Sequence, residues 1–225
     1  RHLAAVAAEF ADAPHVTHTF KKIKLRICTD LGEWNDLLPD VKFAYPSVAD
    51  AVAMLLEGYS MAKADAKNMF WSFPTAVEEQ HLLGVRLDGR VYVATRAQFG
   101  GKLYPLIANA LMGEITAILR AEGIPNVIYT DDLFTAGTGD AAPLGPARCS
   151  ARFARSKVVI AGTGLVINDA KDVGPVQTLP FLGVVVDMPR RRLFLPEEKL
   201  RYYLMVVQAL QARRPTKKDL AHAVG

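Results

Sequence analysis

The stretch "NVIYTDDLFT", from Asn126 to Thr135, places two adjacent carboxylates between two short apolar runs. This pattern predicts two β-strands that meet at a tight turn, because Asp is common in turns and tolerates unusual backbone angles. Asp131 and Asp132 would then lie at the tip of a hairpin. Two like charges at a turn also suit a metal site, and charge alone does not decide between these two interpretations.

The segments on both sides of this stretch predict an α+β fold. "LLGVRLDGRVYVAT" holds two β-rich runs around Asp88-Gly89, a strong hairpin signal, and "FLGVVVD" with "RLFLP" predicts another hairpin across residues 188–191. Alternating apolar and basic residues predict a strand at residues 22–28. Since hairpins rather than βαβ repeats connect the strands, the sheet is expected to be mainly antiparallel.

Four helices are predicted from apolar residues at helical spacing and from start signals. The first follows the capping-box spacing of Ser47 and Asp50, and the second has Pro105 in its first turn. The predicted helices cover residues 51–60, 105–123, 147–160 and 196–213.

The composition is typical of a globular protein with a buried core: of 225 residues, 51% are hydrophobic and 22% charged. Charged residues interrupt the longest apolar runs, so no membrane-spanning segment is expected. The chain begins at Arg1 and carries Glu9 and Asp12 too early for a signal peptide. We therefore expect an internal piece of a longer intracellular protein, in the cytoplasm or nucleus and not secreted. Cys28 and Cys149 lack metal-ligand spacing and fit a reducing compartment.

Basic residues are concentrated in three clusters, at residues 21–26, 190–192 and 213–218, within a net charge of +4. Separated clusters of this kind suit a polyanion that runs along a groove. Clusters that only solvate a surface have the same composition, so both interpretations stay open.

A third carboxylate, Asp65, lies at the expected end of a strand in "MAKADAKNMFWSFP", 66 residues before the Asp131-Asp132 pair. Three acids that meet on one sheet repel one another unless hard cations neutralise them. Mg²⁺ is the natural cation for such a cluster, since it binds a few carboxylates and keeps coordination positions for water and phosphates. Asp residues are common, so this observation alone does not establish a site.

Several motifs, in order, resemble those of reverse transcriptases, especially of LTR-type and tyrosine-recombinase (DIRS-like) retroelements. The resemblance covers the chain from about Lys21 to its end. "LRICTDLGEWN" is similar to the fingers motif, "DAKNMFWSFP" to the first catalytic motif, and "YTDD" to the Tyr-x-Asp-Asp box. The further matching segments are "HLLGVRLDGRVYVATRAQFGGKLYP", "GLVINDAKD", "FLGVVVD" as the primer-grip hairpin and "LPEEKL" as the entry to the thumb.

The resemblance implies a right-hand polymerase fold, in which fingers and a palm with an antiparallel sheet flanked by helices precede a partial helical thumb. The implied divisions are a flanking segment (1–20), fingers (21–60), palm (61–95), a fingers/palm helix (96–123), palm with the catalytic and primer-grip hairpins (124–195) and the start of the thumb (196–225).

The resemblance also implies the chemistry, which is attack of a primer 3′ hydroxyl on the α-phosphate of a deoxynucleotide. Asp65, Asp131 and Asp132 would be catalytic and hold Mg²⁺, or Mn²⁺ in its place, with Asp131 the stronger ligand of the pair. The implied nucleotide-binding residues are Arg26, Phe70, Phe99, Gly100, Lys102 and Lys171. The implied primer-binding residues are Tyr129, Leu182 and Gly183.

Each implied role has a plainer alternative. The alternative for Arg26 is a solvated charge on a strand, and the alternative for Lys171 is a surface lysine. The alternative for Phe70 is a core residue rather than a gate against the 2′ hydroxyl. Trp34 and Trp71 could stack on bases or pack in a core. Gln98, where the family usually has Pro, leaves the geometry of the Phe99-Lys102 segment open.

The expected partners are an RNA or DNA template with its primer and deoxynucleoside triphosphates. Binding to a membrane is not expected, and the sequence does not indicate the oligomeric state. Two other functions remain open. One is an RNA-dependent RNA polymerase, and the other is a non-catalytic palm that serves as a nucleic-acid-binding scaffold.

Overall fold

The computed structural model describes residues 30–56, 58–137 and 144–211. Several sequence predictions therefore lie outside the described residues: the strand at 22–28 with Arg26, the basic clusters at 21–26 and 213–218, and the flanking segment 1–20.

A five-stranded antiparallel sheet forms the centre of the fold, in the order β4-β5-β1-β6, with β7 also paired to β1. β1 is its longest strand and pairs with three others, β5, β6 and β7. The strands are β1 (Ser60–Lys67), β4 (Asn126–Tyr129), β5 (Asp132–Gly137), β6 (Val166–Ile167) and β7 (Val173–Val176).

Two long helices cover one face of this sheet. Helix α3 (Tyr104–Ala121) and helix α4 (Leu144–Gly162) pack against β4, β5 and β1. Their apolar stripes bury Met112 and Phe153 against Ala64 and Leu133 of the sheet, which forms the first core. The two helices confirm the predicted ones, although α4 begins three residues earlier than expected.

A second, smaller core lies on the opposite face of the sheet. Helix α2 (Val48–Ala53) and a three-stranded sheet of β8 (Thr178–Phe181), β9 (Val184–Asp187) and β10 (Arg192–Phe194) cover that face. Phe134 and Phe181 meet there with ring centroids 4.9 Å apart. The sheet is thus buried on both faces, and it is antiparallel throughout the described pairs, as the sequence predicts.

Two hairpins turn through pairs of residues with positive φ, the geometry of a type I′ turn. Asp88 and Gly89 (φ 49° and 74°) connect β2 (Gly84–Leu87) to β3 (Arg90–Val93) and confirm the predicted hairpin. Leu182 and Gly183 (φ 45° and 81°) connect β8 to β9. The segment "FLGVVVD" is therefore divided between two strands. Leu182 and Gly183 form the turn between β8 and β9, and β9 then pairs with β10 in the predicted second hairpin.

The remaining helices are shorter or peripheral. Ser47 and Asp50 form the predicted capping box, but α2 ends at Ala53 rather than near residue 60. Helix α1 (Gly32–Leu37) precedes it, and helix α5 (Glu197–Gln211) closes the described part of the chain. Over the described ranges, no helix combines the length and the apolar character needed to cross a membrane.

Gly137 shows how closely α4 approaches the sheet. A Cβ atom at Gly137 would lie 2.4 Å from the backbone nitrogen of Cys149, so Gly137→Ala should force the helix from the strand. We expect a loss of roughly 2 kcal/mol in the free energy of unfolding, measured by urea denaturation. Gly113→Ala is the matched control, because no atom lies within 4 Å of its added Cβ in α3. It should stabilise by about 0.5–1 kcal/mol, and equal behaviour of the two variants would contradict the packing argument.

Candidate active site

Two carboxylates lie directly opposite one another in the central sheet. In the antiparallel pairing of β1 and β5, Asp65 is the partner of Asp132. Side chains alternate along a strand, so Asp65 shares a face with Met61, and Asp132 shares that face with Phe134. Like charges at directly opposed positions destabilise a sheet. A pairing that opposes stability at the end of a well-packed strand pair indicates a functional site.

The third carboxylate belongs to the turn between β4 and β5. Thr130 and Asp131 form this turn, and Thr130 has a positive φ of 52°. The backbone N–H of Ala66 donates to the carbonyl oxygen of Asp131 over 2.8 Å, which ties the turn to the end of β1. The hairpin predicted from "NVIYTDDLFT" is confirmed, and it brings Asp131 and Asp65 to the lining of the same cleft.

The three acids affect one another electrostatically. The pKa of Asp132 is raised above its ordinary value of 3.8, mainly by burial and further by the negative charges of Asp131 and Asp65. The ammonium groups of Lys63 and Lys171 act in the opposite direction. Negative charge therefore accumulates at this end of the sheet, and the neighbouring lysines offset it only in part.

Lys171 contacts the cluster directly. Its ammonium forms an ion pair with Oδ1 of Asp65, and Asn168 donates from Nδ2 to Oδ2 of the same carboxylate over 3.4 Å. The backbone N–H of Asn168 also donates to the carbonyl oxygen of Asp65 over 2.8 Å. Asn168 is a site residue that the sequence analysis missed. The sequence feature that indicated Asn168 was its position in "GLVINDAKD", three residues before Lys171.

The donor set suits a hard divalent cation, since it consists of carboxylate oxygens with excess negative charge. Among residues 30–56, 58–137 and 144–211, however, no three acidic, histidine or cysteine side chains are gathered as ligands around one point. The convergence of the carboxyl oxygens of Asp65 and Asp131 on a shared cation therefore stays a prediction.

The cleft has a volume of about 530 Å³, and Phe70 and Phe99 give it an aromatic wall in addition to the acids. Asn68 adopts a left-handed conformation (φ 50°) that ends β1 and turns the chain into a short 3₁₀ helix, Met69–Ser72. Phe70 of this helix packs edge-to-face on Phe99, with centroids 5.5 Å apart. Phe70 also contacts the first core, so it serves packing and lines the cleft at once.

Gly100 and Lys102 follow Phe99 in the chain, and neither residue is among those that line the cleft. The ammonium of Lys102 donates to the carbonyl oxygen of Leu38 over 2.9 Å and pairs with Asp40 at 2.7 Å. Asn35 accepts from the backbone N–H of Lys102 and donates to the carbonyl oxygen of Gly100, both over 2.8 Å. Asn35 is thus a second residue whose role the sequence analysis missed, and it anchors the loop that carries Phe99.

The residues implied in primer binding lie on the opposite side of the sheet from α3 and α4. Tyr129 and Leu182 pack against the second core, and the ring of Tyr129 lies 4.9 Å from that of Tyr45. A Cβ at Gly183 would meet Nζ of Lys199 at 2.2 Å, so the β8–β9 turn touches the start of α5. Of these residues, Gly183 lies beside the helix that the resemblance assigns to the thumb.

No protein-family model and no curated protein matches the chain. Among solved structures, a foamy viral protease-reverse transcriptase in complex with double-stranded DNA matches with a TM-score of 0.66 and 17% identity. The match covers 89% of this chain and 32% of that one. A foamy viral protease-reverse transcriptase in complex with an RNA/DNA hybrid matches with a TM-score of 0.63 and 18% identity, over 87% of this chain and 24% of that one.

The chain has a reverse transcriptase-like fold. At such identities the likeness shows the fold alone, and the chain spans less than two fifths of the length of either viral chain. The resemblance seen in the sequence motifs is therefore confirmed at the level of the fold, whereas an LTR-type or DIRS-like origin stays a prediction.

Asp132→Asn should stabilise the fold at neutral pH by up to about 1 kcal/mol, the scale of a cross-strand charge pair. The raised pKa of Asp132 means that the folded parent loses stability as the pH rises above 3.8, the ordinary value at which the unfolded chain ionises. Asn has no proton to lose. The advantage of the variant should therefore be absent near pH 3 and complete above the raised pKa, as measured by urea denaturation over a pH series.

Asp88→Asn is the control for this measurement, because it removes a carboxylate from a distant turn that Asn also tolerates. It should not reproduce the pH-dependent gain. A lower stability of Asp132→Asn at pH 7 would show that the carboxylate is favourably held rather than repelled.

Proposed function

We propose that the chain is the fingers, the palm and the start of the thumb of a retroelement RNA-directed DNA polymerase, located in the cytoplasm or nucleus. It would extend a primer on an RNA or DNA template with deoxynucleoside triphosphates. The observation that supports this proposal most is the direct opposition of Asp65 and Asp132, beside the Asp131 turn, within a reverse transcriptase-like fold.

In this proposal the central sheet and helices α3 and α4 form the body of the palm, as the divisions 61–95, 96–123 and 124–195 anticipate. Residues 30–56 belong to the fingers, and α5 begins the thumb. The contact between Gly183 and Lys199 supports the assignment of the β8–β9 turn as a primer grip, because it lies at the junction with α5.

Asp65, Asp131 and Asp132 would hold Mg²⁺, or Mn²⁺ in its place. Bound there, the ion supplies charge neutralisation and Lewis acidity for phosphoryl transfer. The chain's own residues position the reactants. Phe70 and Phe99 offer an apolar wall for the sugar of a nucleotide, and the half-exposed ammonium of Lys171 offers a donor for phosphate oxygens in the same cleft.

A second candidate function is a non-catalytic palm that serves as a nucleic-acid-binding scaffold. The observation that favours it is the ion pair of Lys171 with Asp65, which already partners one of the three carboxylates. Against it, a surface that binds polyanions gains nothing from three clustered acids. An RNA-dependent RNA polymerase would share the acids and differ in its choice of sugar, so activity measurements separate the three functions.

Primer extension on an RNA template tests the proposal directly. The parent chain should extend a DNA primer with deoxynucleotides and Mg²⁺, whereas Asp131→Asn should abolish extension, because one lost charge weakens metal binding without opening a cavity. Circular dichroism and a melting curve check that the fold is kept. Asp88→Asn, at the β2–β3 turn, is the matched control and should extend at the parent rate. Extension by Asp131→Asn at that rate would refute the catalytic assignment.

Phe70→Val tests selection of the sugar. If the ring excludes a 2′ hydroxyl, the variant should improve ribonucleotide incorporation relative to deoxynucleotide by on the order of tenfold or more. If Phe70 only packs, truncation should lower stability by roughly 3 kcal/mol and depress both activities together. The ratio of the two incorporation rates, measured alongside a melting curve, decides. An unchanged ratio with a lower melting temperature leaves Phe70 as a packing residue.

A further inference from the structure

The ion pair between Lys171 and Asp65 joins an exposed group to a nearly buried one. The side chain of Asp65 is 13% exposed, while that of Lys171 is 47% exposed. A carboxylate withdrawn this far from water needs a partner charge, because burial penalises its ionised form. The ammonium supplies that charge, and Asn168 provides a further hydrogen bond at the other oxygen.

Lys171 also acts on the rest of the acidic cluster. Its positive charge lowers the pKa of Asp132, against the raising effects of burial and of the two neighbouring acids. The ammonium of Lys171 therefore offsets the negative charge of both Asp65 on β1 and Asp132 on β5. This is the electrostatic task that a divalent cation would perform at the same carboxylates.

The backbone contacts around Lys171 allow its ammonium to withdraw from Asp65. Lys171 ends a three-residue 3₁₀ helix, Asp169–Lys171, whose backbone is tied to β1 through Asn168 and not through Lys171 itself. Withdrawal of the ammonium would thus break one ion pair and leave the backbone contacts of the segment in place. A half-exposed lysine on such a turn loses little by returning to water.

We propose that Lys171 is a placeholder for the divalent cation. Its ammonium occupies Oδ1 of Asp65 until the cation binds, and cation binding displaces it into the cleft. The proposal rests on the proposed function, since it assumes that Asp65 is a metal ligand. It adds that cation binding is an exchange of one positive charge for another, so that Lys171 weakens cation affinity while it protects the cluster from its own repulsion.

The test measures binding of Mn²⁺ to the full chain without nucleotide or nucleic acid, from the electron paramagnetic resonance signal of free Mn²⁺. Lys171→Met should tighten binding by roughly tenfold or more, since in the parent the cation can bind only the fraction of molecules whose ammonium has withdrawn from Asp65. Lys171→Arg keeps the charge and should bind close to the parent. A merely structural role of Lys171 would weaken binding on its loss and would not tighten it.

Lys67→Met is the matched control, because Lys67 lines the same cleft and its loss removes the same charge. Tightening by Lys67→Met equal to that by Lys171→Met would reduce the effect to general electrostatics and overturn the proposal. Asp65→Asn separates the two levels of inference. If Asp65→Asn binds Mn²⁺ as well as the parent, the metal site of the proposed function fails. If it loses binding while Lys171→Met does not tighten it, only the placeholder role fails.

Discussion

The register between β1 and β5 is the constraint on which the site depends. Met61 and Phe134 must face the second core, and Ala64 and Leu133 must face the helices. A shift of one residue would reverse every side chain, so hydrophobic burial favours the observed register over such a shift. That register places Asp65 opposite Asp132. The apolar core thus forces two carboxylates together, although their own interaction is unfavourable.

The molecule offsets this repulsion locally instead of avoiding it. Lys171 and Asn168 reach Asp65 from a segment that follows α4, and the Asp131 turn is held by a backbone hydrogen bond from Ala66. Stability that the sheet loses at its end is recovered from two cores, one on each face. The acidic end of the sheet is therefore carried by strands that a core on each face holds in place.

Much of the local structure could be predicted from the sequence, because its causes are local. The Asp88-Gly89 turn, the capping box at Ser47 and the "YTDD" hairpin each depend on neighbouring residues. The partners of Lys102 and Lys171 could not be predicted in this way. Asn35 lies 67 residues from Lys102, and Asp65 lies 106 from Lys171, so both contacts follow from the chain topology. For Lys171, the resemblance implied a place among nucleotide-binding residues and gave no indication of the carboxylate with which it pairs.

The two sides of the cleft differ in how firmly the surrounding contacts hold them. Asp65 and Asp132 lie on strands whose register is fixed by buried side chains on both faces, so their positions cannot change without loss of the core. The aromatic wall depends in part on the loop carrying Phe99, which a few hydrogen bonds from Asn35 and the ion pair of Lys102 secure at the surface. Contacts of this kind open at lower free energy than a packed sheet. In the proposed polymerase, the rigid side would therefore suit chemistry that needs fixed geometry, and the softer side would suit the admission and release of substrate.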